Sequence, residues 1–164
     1  MFPQFKTILV ATDFSRTSEH ALEYAQGLAK SFGATLHLLH VVPDPVLASA
    51  WSEAFAYDLT ALGERLRVEA LQQLAARAQS IRDVSVTTEA IIGVPATLIS
   101  LMAAERGVDL IVMGTHGRSG LSHLFLGSVA ERVVRTAPCP VLTMREPAAE
   151  KERVPLAKVR TVTA

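Results

Sequence analysis

Apolar residues follow two alternating patterns along the chain. Five short runs are rich in β-branched or aliphatic residues without strict alternation, and between them apolar residues recur every three or four positions. The runs cover residues 7–12, 35–42, 84–92, 110–113 and 141–144. Runs without strict polar alternation predict strands buried on both faces, and their alternation with helices is typical of a parallel sheet between two helical layers. We therefore predict a doubly wound α/β fold.

The spacing of three to four residues predicts helices between these strands. They cover about residues 17–33, 59–80, 95–107 and 128–135. Thr17 or Ser18 could cap the first helix, and Gly33 suits its end because glycine tolerates a left-handed backbone. In the second helix, the residues predicted to face the core are Leu59, Leu62, Leu66, Leu74 and Ala78.

Residues 43–58 form a connection that is longer than usual between a strand and a helix. Its aromatic residues are Trp51, Phe55 and Tyr57. The connection could act as a lid over a site, but isolated aromatic residues more often pack against the protein. We favour packing over the edge of the sheet.

Composition limits the possible partners. The chain has 164 residues, with sixteen Lys and Arg balanced by sixteen Asp and Glu, so no global field attracts nucleic acid or an anionic membrane. No apolar run approaches the roughly 18 residues that cross a bilayer. Cys139 is the only cysteine, and the amino terminus lacks a signal-peptide pattern, so we expect a cytoplasmic protein. We predict one domain over residues 1–145 and a tail over 146–164.

A glycine-rich segment follows the fourth predicted strand and leads into a helix. Its sequence is Met113-Gly114-Thr115-His116-Gly117-Arg118-Ser119-Gly120, followed by Leu126-Gly127-Ser128-Val129. Glycines let backbone amides approach an anion closely, and a helix start offers unpaired N–H groups and a partial positive charge. Phosphate is the expected ligand, and the Ser128 hydroxyl and the Arg118 guanidinium could bind the same group.

Asp13 follows the first strand, at the sheet edge where open parallel sheets bind ligands. If the first and fourth strands are neighbours, Asp13 faces the glycine segment and could accept hydrogen bonds from ribose hydroxyls. The alternative is that Asp13 is a turn or cap residue that supports Ser15 and Thr17.

Several other chemistries are excluded or disfavoured. The chain has no Gly-x4-Gly-Lys-Ser/Thr phosphate loop and no Gly-x-Gly-x2-Gly dinucleotide fingerprint. His37 and His40 are expected to pack in the core or bond to the backbone, whereas His116 and His123 lack partners at metal-ligand spacing. Cys139, between two prolines, is interpreted as a buried structural thiol.

The pattern Gly114-x2-Gly117-x9-Gly127-Ser128, together with Thr12-Asp13-Phe14-Ser15 after the first strand, resembles the universal stress protein family and its ATP-binding subgroup. The resemblance covers about residues 4–145. It implies a five-stranded sheet in the order 3-2-1-4-5, with ATP bound and Mg²⁺ held through the phosphate oxygens.

The resemblance also implies roles for individual residues. Those expected to contact adenosine are Thr12, Asp13 and Val41. Those expected to line the ribose and phosphates are Met113, Gly114, His116, Gly117 and Arg118. Those expected to close the phosphate end are Gly127, Ser128 and Val129.

Three hypotheses for function remain at this point. The first is a nucleotide-occupied regulatory module in a stress response. The second is a slow ATPase or self-phosphorylating enzyme, with Ser119, Ser122 or Ser128 as acceptor, although no general base is evident beside the loop. The third is a binder of AMP or a cyclic nucleotide. We also expect a homodimer through the edge strand at 141–144, unless the tail covers that edge, and leave open an unidentified protein partner.

Overall fold

The computed structural model describes residues 4–48, 56–115 and 127–145. The predicted tail, the middle of the 43–58 connection and most of the glycine-rich segment lie outside these ranges. The elements are β1 (Thr7–Ala11), α1 (Arg16–Phe32), β2 (Thr35–Pro43), α2 (Pro45–Ala48), α3 (Ala56–Ser80), β3 (Val86–Gly93), α4 (Pro95–Glu105), β4 (Leu110–Gly114), α5 (Ser128–Thr136) and β5 (Val141–Met144).

The strands form one parallel five-stranded sheet in the order β3-β2-β1-β4-β5, which confirms the predicted doubly wound fold. β1 is the central strand, where Ile8 pairs with Leu36 of β2 and with Leu110 of β4. The strand order reverses between β1 and β4. In open α/β sheets the crevice beyond the carboxyl ends at such a point is the usual ligand site.

Helices cover both faces of the sheet. Ile8 and Val10 of β1 are fully buried in a core shared with α1 and α3, whereas Leu9 is fully buried in a second core shared with α4 and α5. Successive residues of a strand point to opposite faces, so consecutive apolar residues are required to bury both. This two-sided burial explains the runs without polar alternation.

The first helix begins at Arg16, slightly earlier than predicted, and its N-cap is Ser15 rather than Thr17 or Ser18. Ser15 Oγ accepts a hydrogen bond from the Ser18 amide at 3.3 Å. The prediction failed because serine and threonine are all good caps and the sequence offers several in a row. Gly33 ends the helix in a left-handed conformation (φ 67°), as predicted.

The connection at 43–58 is shorter than predicted, because α2 occupies part of it and α3 already begins at Ala56. Within α3, Leu74 is buried as predicted, but Leu62 and Leu66 are 37% and 40% exposed. Ala70 is buried against the sheet instead. Helical periodicity correctly predicted the helix. It did not predict which leucines are buried, because the sheet covers only part of the apolar face of the helix.

Across the described ranges, no helix combines the length and apolar character that spanning a lipid bilayer requires.

Candidate functional site

A cleft of about 500 Å³ opens at the carboxyl ends of β1, β2 and β4. Its volume lies within the range of roughly 300–1,000 Å³ that is usual for small-molecule sites. All the predicted site residues that the structure describes line this cleft, namely Thr12, Asp13, Val41, Met113, Gly114, Gly127, Ser128 and Val129. The other three, His116, Gly117 and Arg118, lie outside the described residues.

The segment after β1 is held by side-chain hydrogen bonds. The Ser18 hydroxyl donates to the Ser15 carbonyl (2.9 Å), so Thr12 Oγ1 donates to Ser18 Oγ (3.0 Å) while accepting from the Phe14 amide (3.0 Å). Asp13 Oδ1 accepts from the Ser15 amide at 3.0 Å, which is the turn role that the sequence offered as an alternative. A carboxylate can accept about four hydrogen bonds, so this turn is compatible with ligand binding.

Phe14 and His40 line the same end of the cleft, although sequence reasoning assigned neither to the site. Phe14 has a positive φ of 63°, which is unusual for an aromatic residue. Its ring stacks on the His40 imidazole, with centroids 4.5 Å apart. His40 Nδ1–H donates to the Thr12 carbonyl at 2.7 Å, which confirms the predicted backbone hydrogen bond of this histidine.

Gly114 ends β4 in close contact with the start of α1. A Cβ atom at this position would lie 3.0 Å from Thr17 Cγ2 and 3.3 Å from the Ser18 nitrogen. Such contacts are too tight for a larger side chain without movement of the helix backbone. Packing therefore favours glycine here, in addition to any role in admitting a ligand.

The first turn of α5 forms the other end of the cleft. Gly127, Ser128, Val129 and Ala130 all line it, and the first bond within the helix runs from the Glu131 amide to the Gly127 carbonyl. The amides of a first turn have no acceptor within the helix and carry part of the positive end of its dipole. This end of the cleft is consequently suited to an anion.

Backbone hydrogen bonds fix the start of α5 against the sheet. The Gly127 amide donates to the Thr115 carbonyl at 2.8 Å, and the Thr115 amide donates to the Met144 carbonyl at 2.8 Å. Gly127 itself has φ −59°, which any residue can adopt. If glycine is needed at position 127, the reason is therefore space rather than backbone conformation.

The α3 helix supplies a wall that the sequence did not reveal. Leu66, Glu69, Ala70 and Gln73 line the cleft, which explains the exposure of Leu66: it faces the cleft rather than the core. No local motif marks these residues, because their place depends on how α3 crosses the sheet.

Charge is unevenly distributed around the cleft. The described lining residues include the carboxylates Asp13 and Glu69 but no lysine or arginine. Within these ranges, negative charge on a ligand can be met only by hydrogen-bond donors such as the α5 amides and the Ser128 hydroxyl. This arrangement separates an acidic region near β1 and α3 from a donor-rich region at α5.

His37 lies in the middle of β2, away from the cleft, and is almost fully buried. Its Nε2–H donates to Glu89 Oε2 (3.1 Å), so its Nδ1 accepts from the Thr87 hydroxyl (2.8 Å). Burial, aided by the nearby Arg106 guanidinium, lowers the pKa of His37 despite the opposing effect of Glu89. The predicted core packing of His37 is confirmed, although its hydrogen bonds go to two side chains of β3 rather than to the backbone.

Other reactive groups give no second centre within the described ranges. Cys139 is half-buried, and burial raises the pKa of its thiol, which disfavours the nucleophilic thiolate. No group of three or more His, Cys, Asp or Glu side chains is placed there to hold a metal ion.

These features define a doubly wound α/β protein with a ligand cleft at its topological switch point. The chain belongs to the universal stress protein family, whose model matches residues 4–145.

Relatives in sequence and in structure support this family membership. The chain is 37% identical over 146 residues to the universal stress protein MJ0531 of Methanocaldococcus jannaschii, covering 89% of this chain and 85% of that protein. The solved structure of UspA from Lactobacillus plantarum is similar with a TM-score of 0.79 and 28% identity, covering 88% of this chain and 100% of that one.

Two more distant structures share the fold and contain nucleotides. One is a universal stress protein in complex with cAMP, with 24% identity, a TM-score of 0.62 and coverage of 86% of this chain and 97% of that one. The other is the universal stress protein from Archaeoglobus fulgidus in complex with dAMP, with 22% identity, a TM-score of 0.60 and coverage of 87% and 99%.

Proposed function

We propose that the cleft binds an adenine nucleotide, in the first place ATP, and that the occupied protein acts as a regulatory module in a stress response. The observation that carries this proposal is that the first turn of α5 lines a cleft together with the residues that the family resemblance assigns to nucleotide binding, because the free amides of a helix start favour phosphate. Structures with the same fold that contain cAMP and dAMP support an adenine ligand.

The two ends of the cleft suit the two ends of a nucleotide. Adenosine would lie toward Thr12, Asp13 and Val41, where a carboxylate can accept hydrogen bonds from ribose hydroxyls. The phosphates would lie at Ser128 and the neighbouring amides, with His116, Gly117 and Arg118 as further predicted contacts. Mg²⁺ would be held through phosphate oxygens, which is its usual mode with nucleotides.

We expect the protein to hydrolyse ATP slowly or not at all. The nearest carboxylate along α5 is Glu131, and it forms an exposed ion pair with Arg135 at 2.8 Å. Asp13 is engaged in the turn after β1 and would bind ribose. In the proposed binding mode neither carboxylate would activate water at the terminal phosphate, so we expect turnover far below the roughly 1–100 s⁻¹ of kinases. A single-turnover assay with labelled ATP and Mg²⁺ measures it. Turnover near 1 s⁻¹ that disappears in Asp13→Ala would instead identify an enzyme.

A nucleotide with fewer phosphates is the second candidate. The described lining has no lysine or arginine, so the charge of three phosphates is met there by dipoles and hydroxyls alone. AMP or a cyclic nucleotide brings less charge to the same amides. For ATP, the positive charge of Arg118 would compensate the negative charge of the additional phosphates. Arg118→Gln should therefore weaken ATP binding more than AMP binding.

Mass spectrometry of the ligand released from freshly purified protein tests the proposal directly. ATP, AMP or a cyclic nucleotide in stoichiometric amount would identify the resident ligand. If the purified protein carries no nucleotide, calorimetric titration with ATP, AMP and cAMP, each with Mg²⁺, measures which of them it binds. Absence of binding to all of them would refute the proposal.

The proposal includes a cytoplasmic location and a homodimer through β5. Within the described sheet, β5 pairs with β4 on one side only, which leaves a strand edge where a second copy could add. Light scattering measures the stoichiometry. Leu142→Lys should give a monomer, and a variant that remains dimeric would place the interface elsewhere. An unidentified protein partner remains part of the proposal.

A further inference from the structure

Four side chains, Glu19, Arg77, Phe14 and His40, form a connected stack at the edge of the cleft. Arg77 of α3 pairs with Glu19 of α1, with Nε 2.6 Å from Oε1, and its Cζ lies 4.6 Å from the centre of the Phe14 ring. The same ring is stacked on the His40 imidazole, which in turn donates to the Thr12 carbonyl. The stack therefore connects α1 and α3 to the backbone that positions Asp13.

The backbone at Phe14 needs such support. Its φ of 63° places a bulky residue in the left-handed region, which is unfavourable for residues other than glycine and persists only where the surroundings enforce it. The local hydrogen bonds of Thr12 and Asp13 shape the turn, but they do not hold the ring. Arg77 and His40 contact the ring itself.

The position of Arg77 suggests an indirect role. It does not line the cleft, and its side chain is only 24% exposed. A guanidinium over an aromatic face is attracted by the ring quadrupole, more strongly where water is excluded. The Glu19 carboxylate holds the guanidinium in this orientation through two nitrogens. Its contribution is thus directed at Phe14, not at the ligand.

We infer that Arg77 is a positioning residue for nucleotide binding: through the Phe14 ring it holds the turn after β1 in the left-handed conformation that presents Asp13 to the cleft. This inference rests on the proposed function for its effect on affinity. A protein whose binding conformation is populated one-tenth of the time binds its ligand tenfold more weakly. Loss of Arg77 should therefore weaken binding by reducing the population of the competent turn.

Calorimetric titration with ATP and Mg²⁺, repeated with AMP, tests the effect on affinity. Arg77→Gln should weaken binding about tenfold, the factor that corresponds to 1.4 kcal/mol. Arg77→Lys keeps the cation and should recover part of the loss. The matched control is Arg67→Gln, which breaks an exposed ion pair with Glu64 on the same helix and should bind as the wild type does. Equal affinity of Arg77→Gln and the wild type would overturn the inference.

A double-mutant cycle separates positioning from general destabilisation. Phe14→Gly removes the ring and the backbone strain together, so adding Arg77→Gln to it should cost no further affinity. A full additional loss in that background would show that Arg77 acts by another route and would overturn the inference.

Amide hydrogen exchange gives a readout without ligand. Arg77→Gln should increase exchange at the amides of Phe14 and Ser15, which bond to Thr12 Oγ1 and Asp13 Oδ1. Arg67→Gln should leave both unchanged. If the wild type binds no nucleotide, the proposed function is wrong. The exchange measurement still tests whether Arg77 holds the turn after β1, and unchanged exchange in Arg77→Gln would refute that role.

Discussion

The two ends of the sheet are built from the same strands but differ in how their polar groups are used. At the amino end, Asp109 Oδ2 accepts from the amides of Lys6 (2.7 Å) and Thr7 (2.9 Å), and the Phe5 and Phe32 rings meet edge to face. At the carboxyl end, the strands open onto a cleft of about 500 Å³ lined by the first turn of α5.

This difference leads us to expect that the fold separates stability from the proposed nucleotide binding. At the amino end, the Asp109 carboxylate satisfies two backbone amides, so we expect changes there to affect folding and leave ligand binding unaffected. At the carboxyl end, the first turn of α5 lines the cleft and Phe14 has an unusual backbone conformation, so we expect changes there to affect the proposed binding first. The following predictions test that separation, beginning with the largest effect.

Gly127→Val should abolish the stabilisation by ATP. A ligand at 100 times its dissociation constant adds about 2.7 kcal/mol, or roughly 5–10 °C in Tm for a chain of this size. Valine tolerates the φ of −59° at this position, so the ligand-free protein should fold normally while the side chain blocks the approach of the phosphates. Thermal unfolding with and without ATP and Mg²⁺ measures the shift.

The control is Gly27→Val, at an exposed glycine of α1 with open space around it. A full shift in Gly127→Val would mean that the phosphates bind elsewhere.

Asp109→Ala should destabilise the amino end and spare the ligand. It removes the acceptor of two backbone amides, which typically costs about 1–3 kcal/mol of unfolding free energy. The ATP-induced shift in Tm should remain at its wild-type size. Lys30→Gln breaks only the exposed pair with Asp83 at the same end of the sheet and should change stability by about 1 kcal/mol or less. Loss of the ATP shift in Asp109→Ala would contradict the separation of the two ends.

Ser128→Ala should weaken ATP binding modestly without changing ligand-free stability. The variant keeps the α5 amides but loses one hydroxyl, whose hydrogen bond is typically worth about 0.5–1.5 kcal/mol. Calorimetry should show a dissociation constant raised by roughly 2- to 13-fold, following the relation of about 1.4 kcal/mol per tenfold. An unchanged constant would remove Ser128 from the proposed contacts.

His37 lies between the two ends and should give the smallest effect, visible as a pH dependence. Burial lowers its folded pKa from 6.5, so below that pH the unfolded chain binds a proton that the folded chain excludes. Stability should fall as pH decreases from about 6.5 toward the folded pKa. His37→Gln should reduce this slope, whereas His20→Gln, at a partly exposed histidine on α1, should keep it. Glu89 and Arg106 face His37 and remain present in both variants.

The sequence predicted the parts of the molecule that depend on local pattern. Two-sided burial produces recognisable strand runs, and the glycine spacing led to the family and hence to the strand order that the structure confirms. Thr12 and Gly127 are more than 100 positions apart in the chain, yet both line one cleft. The family motifs allowed both residues to be assigned to one site from the sequence. Their role in binding stays a prediction.

The parts that failed depend on contacts between distant segments. The left-handed backbone at Phe14 is unexpected for phenylalanine, and the residues that contact its ring come from β2 and α3. The exposure of Leu62 and Leu66 likewise follows from how α3 crosses the sheet. Neither effect leaves a periodic signal in the sequence.

The hydrogen bond between the Gly127 amide and the Thr115 carbonyl has a consequence for engineering. It joins the residue that follows β4 to the residue that precedes α5, so these two elements are connected by a bond in which residues 116–126 take no part. The entropy of closing a loop grows slowly with its length, by about 0.6 kcal/mol for each doubling. We therefore expect that replacing residues 116–126 by a shorter or longer segment changes folding stability little, which would make this position suitable for grafting a different ligand specificity onto the protein.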